Sequence, residues 1–156
     1  MKRYASASES ETLRIAAEIA AELFSSSGFL FLELKGSLGA GKSAFARGFI
    51  PAWLKLAKEN TPENIVSPTY NLVKMYGVKH KIAHYDLYRI KSLKELEAID
   101  FASASSTANV CLVEWFDLSE EFEVLRPAKS VQVSIEFDEG NENARRITIQ
   151  EVQSDS

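Results

Sequence analysis

The sequence predicts a three-layer α/β domain with a mixed, largely parallel central sheet and an antiparallel C-terminal hairpin. Three observations carry that prediction. The short, nearly continuous apolar runs "FLFLELKG" and "NVCLVEW" have the pattern of strands buried on both faces, as in parallel sheets. A glycine-rich turn leaves the first of them directly into a helical stretch, "GSLGAGKSAFARGF", Gly36 to Phe49. The tail "SVQVSIEFDEGNENARRITIQEV" alternates apolar and polar residues on both sides of a turn at "DEGNEN", which is a hairpin signature.

Taken in order, Ser10 precedes "ETLRIAAEIAAELF", where Leu13, Ala16, Ile19, Ala20 and Leu23 recur at helical spacing with Glu11 in the first turn. "SSSG" ends that helix and the first buried strand follows. The second helix starts near Lys42 and runs through "SAFARGFIPAWLKLAKEN", with an irregularity expected at Pro51, which has no amide to donate. "NIVSPTYNLVKMYG" reads as strand interrupted at Pro68, and "KIAHYDLYRI" as its hairpin partner across Gly77. Ser92-x-x-Glu95 is a capping box that opens a short helix, "FASASSTAN" reads as a polar loop, and "SEEFEVLRP" as a helical turn closed by Pro127. With no repeat and no linker, residues 1–156 form one expected domain, its core at about 10–150 and its last few residues disordered.

At 156 residues, with 46% hydrophobic and 26% charged residues, the chain can bury a core without staples. No stretch approaches a membrane helix, and the N-terminus turns polar where a signal peptide needs an apolar segment, so a cytoplasmic location is expected. The lone Cys111 excludes a disulfide within the chain and sits in an apolar run as a core residue would. A net charge of −4 argues against free-standing nucleic-acid binding. The dense basic candidates, Lys74 to Lys81 and the pair Arg145 and Arg146, read as solvated strand edges.

Gly36, four residues, Gly41, Lys42 and Ser43 match the P-loop pattern, between a buried strand and a helix as its chemistry requires. The backbone of Gly36, Ser37, Leu38, Gly39, Ala40, Gly41, Lys42, Ser43 and Ala44 is the expected phosphate cradle. Lys42 reaches the β and γ oxygens and the Ser43 hydroxyl coordinates Mg²⁺. A P-loop also needs a carboxylate at the end of a neighbouring strand to hold the hydrated metal. Glu114, ending "VCLVE", and Asp86, in "AHYDLY", both qualify. His80 and His84 lack a third ligand at zinc spacing, and His84 is expected to pack or hydrogen-bond in the sheet.

"GSLGAGKSAFARGF", "SPTYNLVKMY", "HYDLYR" and "CLVEW", in this order and spacing, resemble the bacterial TsaE (YjeE) family of small P-loop ATPases over about residues 10–127. The resemblance implies a P-loop NTPase-like domain, ATP and Mg²⁺ as ligands, and a role in making N6-threonylcarbamoyladenosine at position 37 of tRNA. It further implies that the chain acts on a complex of TsaD-like and TsaB-like proteins, which ATP hydrolysis resets, and meets tRNA only through that complex. By position, the family's metal-linked residues fall on Ser43 and Glu114, its phosphate lysine on Lys42, its switch threonine on Thr69, its essential aspartate on Asp86 and its tryptophan on Trp115. Three features depart from the family. Ser37 stands where an aspartate is common, Ala44 replaces a second hydroxyl, and "LEAIDFAS" lacks a glycine frequent after that helix.

Two other readings share the opening motif. A small-molecule kinase would need a lid of clustered arginines to clamp the transferred group, and none is clustered after the P-loop. A nucleotide-gated assembly module would bind ATP with little turnover.

Overall fold

A computed structural model describes residues 1–26, 28–65, 68 and 72–154, with nothing said of the side chains of 104 and 105. The described strands are β1 (Lys2–Ser6), β2 (Leu30–Lys35), β3 (Val73–Tyr76), β4 (Ile82–Asp86), β5 (Val110–Glu114), β6 (Lys129–Asp138) and β7 (Asn141–Gln153). The helices are α1 (Glu9–Phe24), α2 (Lys42–Leu56), α3 (Leu93–Ala98) and α4 (Phe101–Thr107), and two 3₁₀ turns cover Phe116–Leu118 and Glu120–Leu125.

One seven-stranded sheet runs β1-β7-β6-β2-β5-β4-β3. Its centre, β6-β2-β5-β4, is parallel throughout, while β3 and β7 run antiparallel to their neighbours. This is the mixed, largely parallel sheet with a C-terminal hairpin that the alternation and the apolar runs predict. Because side chains alternate across a strand, the sheet divides its residues between two cores. Leu32, Leu34, Val110 and Leu112 pack with α1 and α2 on one face. Phe31, Cys111, Val113 and Tyr85 pack with Phe101, Phe116 and Phe122 on the other. Cys111 is fully buried there, and burial pushes its thiol up.

Several local expectations are corrected. Ser8, not Ser10, caps α1: its Oγ accepts from the Glu11 amide at 3.2 Å while Glu11 Oε2 accepts from the Ala7 amide at 3.1 Å, a reciprocal capping box. The expected box at Ser92 forms, with the Glu95 amide donating to Ser92 Oγ at 3.2 Å. "FASASSTAN" folds as α4, anchored by the buried Phe101, where its polar residues suggest a loop. The strand β3 covers Val73–Tyr76, with residues 66, 67 and 69–71 of the expected strand outside the described residues, and α2 runs through Pro51 as expected but ends at Leu56, short of Asn60. After α3, where the family glycine is missing, Asp100 holds a left-handed φ of 56°, a conformation a short polar side chain tolerates. β1 is an addition: a strand of five residues, mostly exposed, held by pairing with β7.

Candidate functional site

The loop between β2 and α2 is shaped by three glycines for different reasons. Gly39 and Gly41 hold φ of 77° and 119°, where a side chain would be strained. Gly36 has ordinary φ, but a Cβ there would lie 2.8 Å from the Ile135 carbonyl oxygen and 3.1 Å from Ala40 Cβ. The turn closes with the Ala40 amide donating to Ser37 O at 3.1 Å. The amide of Phe45 reaches Gly41 O at 2.9 Å and opens the intrahelical ladder, so among the described residues the amides of Lys42, Ser43 and Ala44 have no acceptor within the helix.

Lys42, 6% exposed, folds back over this loop. Its Nζ donates to Gly36 O at 2.5 Å and Ser37 O at 3.0 Å and stands 4.1 Å from the centre of the Trp115 ring. Burial pulls its pKa down, opposed by the Glu114, Asp86 and Asp117 carboxylates. Trp115 itself holds a left-handed φ of 65° and meets the Tyr88 ring at 5.1 Å.

The two candidate acids are cross-strand partners, Asp86 on β4 opposite Glu114 on β5. The period of two puts them, with His84 and Leu112, on the sheet face against which α2 packs. Asp86 Oδ1 accepts from the Tyr88 amide at 3.0 Å. Glu114 Oε2 and His84 Nε2 share a buried hydrogen bond of 2.7 Å, and His84 Nδ1 finds no partner among the described residues.

The loop, Lys42, the two acids and Trp115 line one cavity of about 620 Å³, within the range of small-ligand sites, with His84 behind Glu114. Leu38 through Ala44 contribute one wall and Asp86, Glu114 and Trp115 another. Gly36 and Ser37 carry the carbonyls that receive Lys42, and Ser43 is exposed toward the opening. Residues that sequence reasoning missed complete it: Ala7 to Glu9 and Thr12 at the start of α1, Arg47 on α2, and Asn143 and Arg145 on β7. Thr69, the expected switch residue, lies outside the described residues.

The donors suit a polyphosphate with a hydrated cation. A loop that a side chain would strain, unpaired helix amides and a buried ammonium meet anionic oxygens. A hydroxyl and one or two carboxylates are what magnesium takes from a protein when phosphates and water supply the rest.

Strand, glycine turn, buried lysine and helix, set in a sheet parallel at its centre, define a P-loop NTPase-like fold. The family profile "Threonylcarbamoyl adenosine biosynthesis protein TsaE" matches residues 6–147, and the chain belongs to the TsaE family. Its relatives include the tRNA threonylcarbamoyladenosine biosynthesis protein TsaE of Haemophilus influenzae, 34% identical over 69% of this chain and 63% of that one. The protein of the same name from Rickettsia bellii is 36% identical over 90% of each chain. The crystal structure of Bacillus subtilis YdiB superposes with a TM-score of 0.69 at 28% identity, covering 98% of this chain and 86% of that one. The chain spans less than two thirds of the length of several curated relatives it matches, among them the Haemophilus protein at 63% and that of Rickettsia prowazekii at 56%. Among the described residues, no helix is long and apolar enough to cross a membrane.

Proposed function

We propose that this chain binds and hydrolyses ATP with Mg²⁺, and so supports tRNA N6-threonylcarbamoyladenosine modification by acting on a complex of TsaD-like and TsaB-like proteins. The observation that carries the reading is the placement of the buried Lys42 between the glycine loop and the paired acids Asp86 and Glu114. When bound, magnesium ATP supplies the reactive phosphoryl group and the Lewis acid. The loop and first-turn amides from Leu38 to Ala44 hold and orient the phosphates, while Lys42 leaves its own loop carbonyls to neutralise their charge. Ser43 and Glu114 hold the hydrated metal, and Asp86 orients the attacking water. Thr69 is the proposed switch residue that reports the nucleotide to the partner proteins. Transfer to tRNA itself is left to those partners, in keeping with the chain's net charge of −4.

The kinase alternative is disfavoured by what the cavity's arginines already do. Arg47 pairs with Glu9, and Arg145 is engaged by backbone carbonyls, so a clamp would have to break contacts these arginines already make. The deciding experiment is ATPase activity of the purified chain, alone and with TsaD and TsaB proteins. Slow turnover that rises with both partners supports the reading. Nucleotide-dependent association without turnover would favour the assembly module, and turnover stimulated only by a metabolite would favour the kinase.

A further inference from the structure

The C-terminal hairpin enters the phosphate loop from two sides. At the end of β6, the Ile135 carbonyl lies against Gly36 and its Cγ2 would stand 3.7 Å from a Cβ on Gly41. From β7, Arg145 reaches across 105 residues of sequence to donate from Nε to Ala40 O at 2.8 Å, with Nη2 3.5 Å from Gly39 O. Its Nη1 is held by the carbonyls of Glu142 at 2.5 Å and Ala144 at 3.0 Å. Its cross-strand partner Phe137 places a ring 4.2 Å from the guanidinium carbon. The guanidinium is therefore held by four carbonyls and one aromatic face before any ligand arrives.

We propose that Arg145, seated on Phe137, is a positioning residue that shapes the phosphate loop by holding two successive carbonyls outward. In a trans peptide the C=O and N–H point in opposite directions. Drawing Ala40 O toward Arg145 turns the Gly41 amide away from the hairpin, into the concave side of the loop. Drawing Gly39 O the same way turns the Ala40 amide inward, where it closes on Ser37 O. A loop with glycines at 39 and 41 has wide conformational freedom, and an arginine that removes it lowers the cost of ordering the loop around an anion. The fork matters: its donors are fixed in one rigid plane, whereas a lysine carries a single ammonium on a flexible stem. Neighbouring Arg146 faces elsewhere, 3.7 Å from Glu136 on the solvent side.

This inference rests on the nucleotide reading, and its test separates the two. Wild type, Arg145→Ala, Arg145→Lys and Phe137→Ala are titrated calorimetrically with magnesium ADP and magnesium ATP. Thermal unfolding without nucleotide serves as the control on folding. Arg145→Ala is expected to weaken both nucleotides by the same factor, about tenfold, the size of a lost charged hydrogen bond. Arg145→Lys does not restore affinity, and Phe137→Ala weakens both by a smaller common factor, about two- to threefold. Phe137→Ala carries the test alone if Arg145→Ala does not fold. Affinities within error of wild type in all variants would overturn the positioning role while leaving the nucleotide reading intact. Weakening confined to ATP would overturn it too, because it would make Arg145 a direct ligand of the terminal phosphate. A wild-type chain that binds neither nucleotide would overturn the nucleotide reading and this role with it.

Discussion

His84 Nε2 and Glu114 Oε2 lie 2.7 Å apart beneath the phosphate loop, both side chains almost wholly closed to solvent. The pairing is diagonal across adjacent parallel strands, since His84 is opposite Leu112 and Glu114 is opposite Asp86. With one oxygen of Glu114 engaged by the imidazole, the other is aimed by it. Removing such a support typically costs ten- to a hundredfold in metal affinity. His84→Leu is expected to raise the Mg²⁺ concentration needed for ATP binding by about tenfold. His84→Gln, which keeps a donor, should recover part of that loss. Calorimetric ATP titrations at stepped Mg²⁺ concentrations measure it.

Glu114→Ala and Asp86→Ala should differ in kind. The first is expected to shift the Mg²⁺ requirement upward, the second to cut turnover even at saturating Mg²⁺. Superimposable Mg²⁺ titrations for the two variants would show that the roles are divided wrongly.

Lys42→Ala should abolish hydrolysis and weaken ATP binding while leaving the circular dichroism spectrum unchanged. Among the described residues, the lysine's hydrogen bonds run to its own loop and its ring contact is with Trp115. Retained turnover in a folded variant would contradict the phosphate role.

Gly48→Ala probes stability apart from the site. A Cβ at Gly48 would press on the Leu13 backbone, 2.8 Å from its Cα, where α1 and α2 cross. Overpacking of this kind costs about 1–3 kcal/mol, which lowers the unfolding midpoint by roughly 2–12 °C in a chain of this size. Nucleotide affinity at 25 °C should be unchanged, as a titration beside the melting curve would show.

On the opposite face, Glu33 is fully buried: Oε1 accepts from Arg126 Nη2 at 2.6 Å, and Oε2 has no partner among the described residues. Burial raises its pKa above 4.5, against the pull of Arg126. Arg126 is also neutralised by Glu123, whose carboxyl it holds below the ordinary range. A carboxyl raised in the folded state contributes stability that is full below its unfolded pKa and lost as pH rises through the folded one. Glu33→Gln keeps an acceptor for Arg126 without a charge. Its melting point relative to wild type should therefore rise as pH increases beyond about 4.5 and then level off. A flat difference across that range would contradict the raised pKa.

What the sequence made legible was local. Strand, glycine turn and helix from Leu30 to Leu56 are adjacent in the chain, and each carries its own pattern, so the loop and Lys42 could be read directly. The acids Asp86 and Glu114 could be found as strand-ending carboxylates, and parity would have placed His84 on their face. β1 was not legible because five mostly exposed residues owe their conformation to a partner at 145–149. The helix α4 hides its signal in one aromatic, Phe101, among alanine, serine and threonine. Arg145 read as a solvated edge residue because its neighbours along the chain are polar; only the pairing of β6 with β2 carries it to the loop.

That pairing also bears on the order in which the protein can mature. The loop residues 36–43 are made about a hundred residues before Ile135 and Arg145, which support them. A nascent chain halted before β6 would carry the phosphate-binding sequence without its scaffold. Since long-range strand pairing is slow compared with local helix formation, competence to take up nucleotide should arrive abruptly once β6 and β7 have been made. Ribosome-bound chains of graded length, probed for nucleotide cross-linking, should show that step only once residue 145 has cleared the exit tunnel.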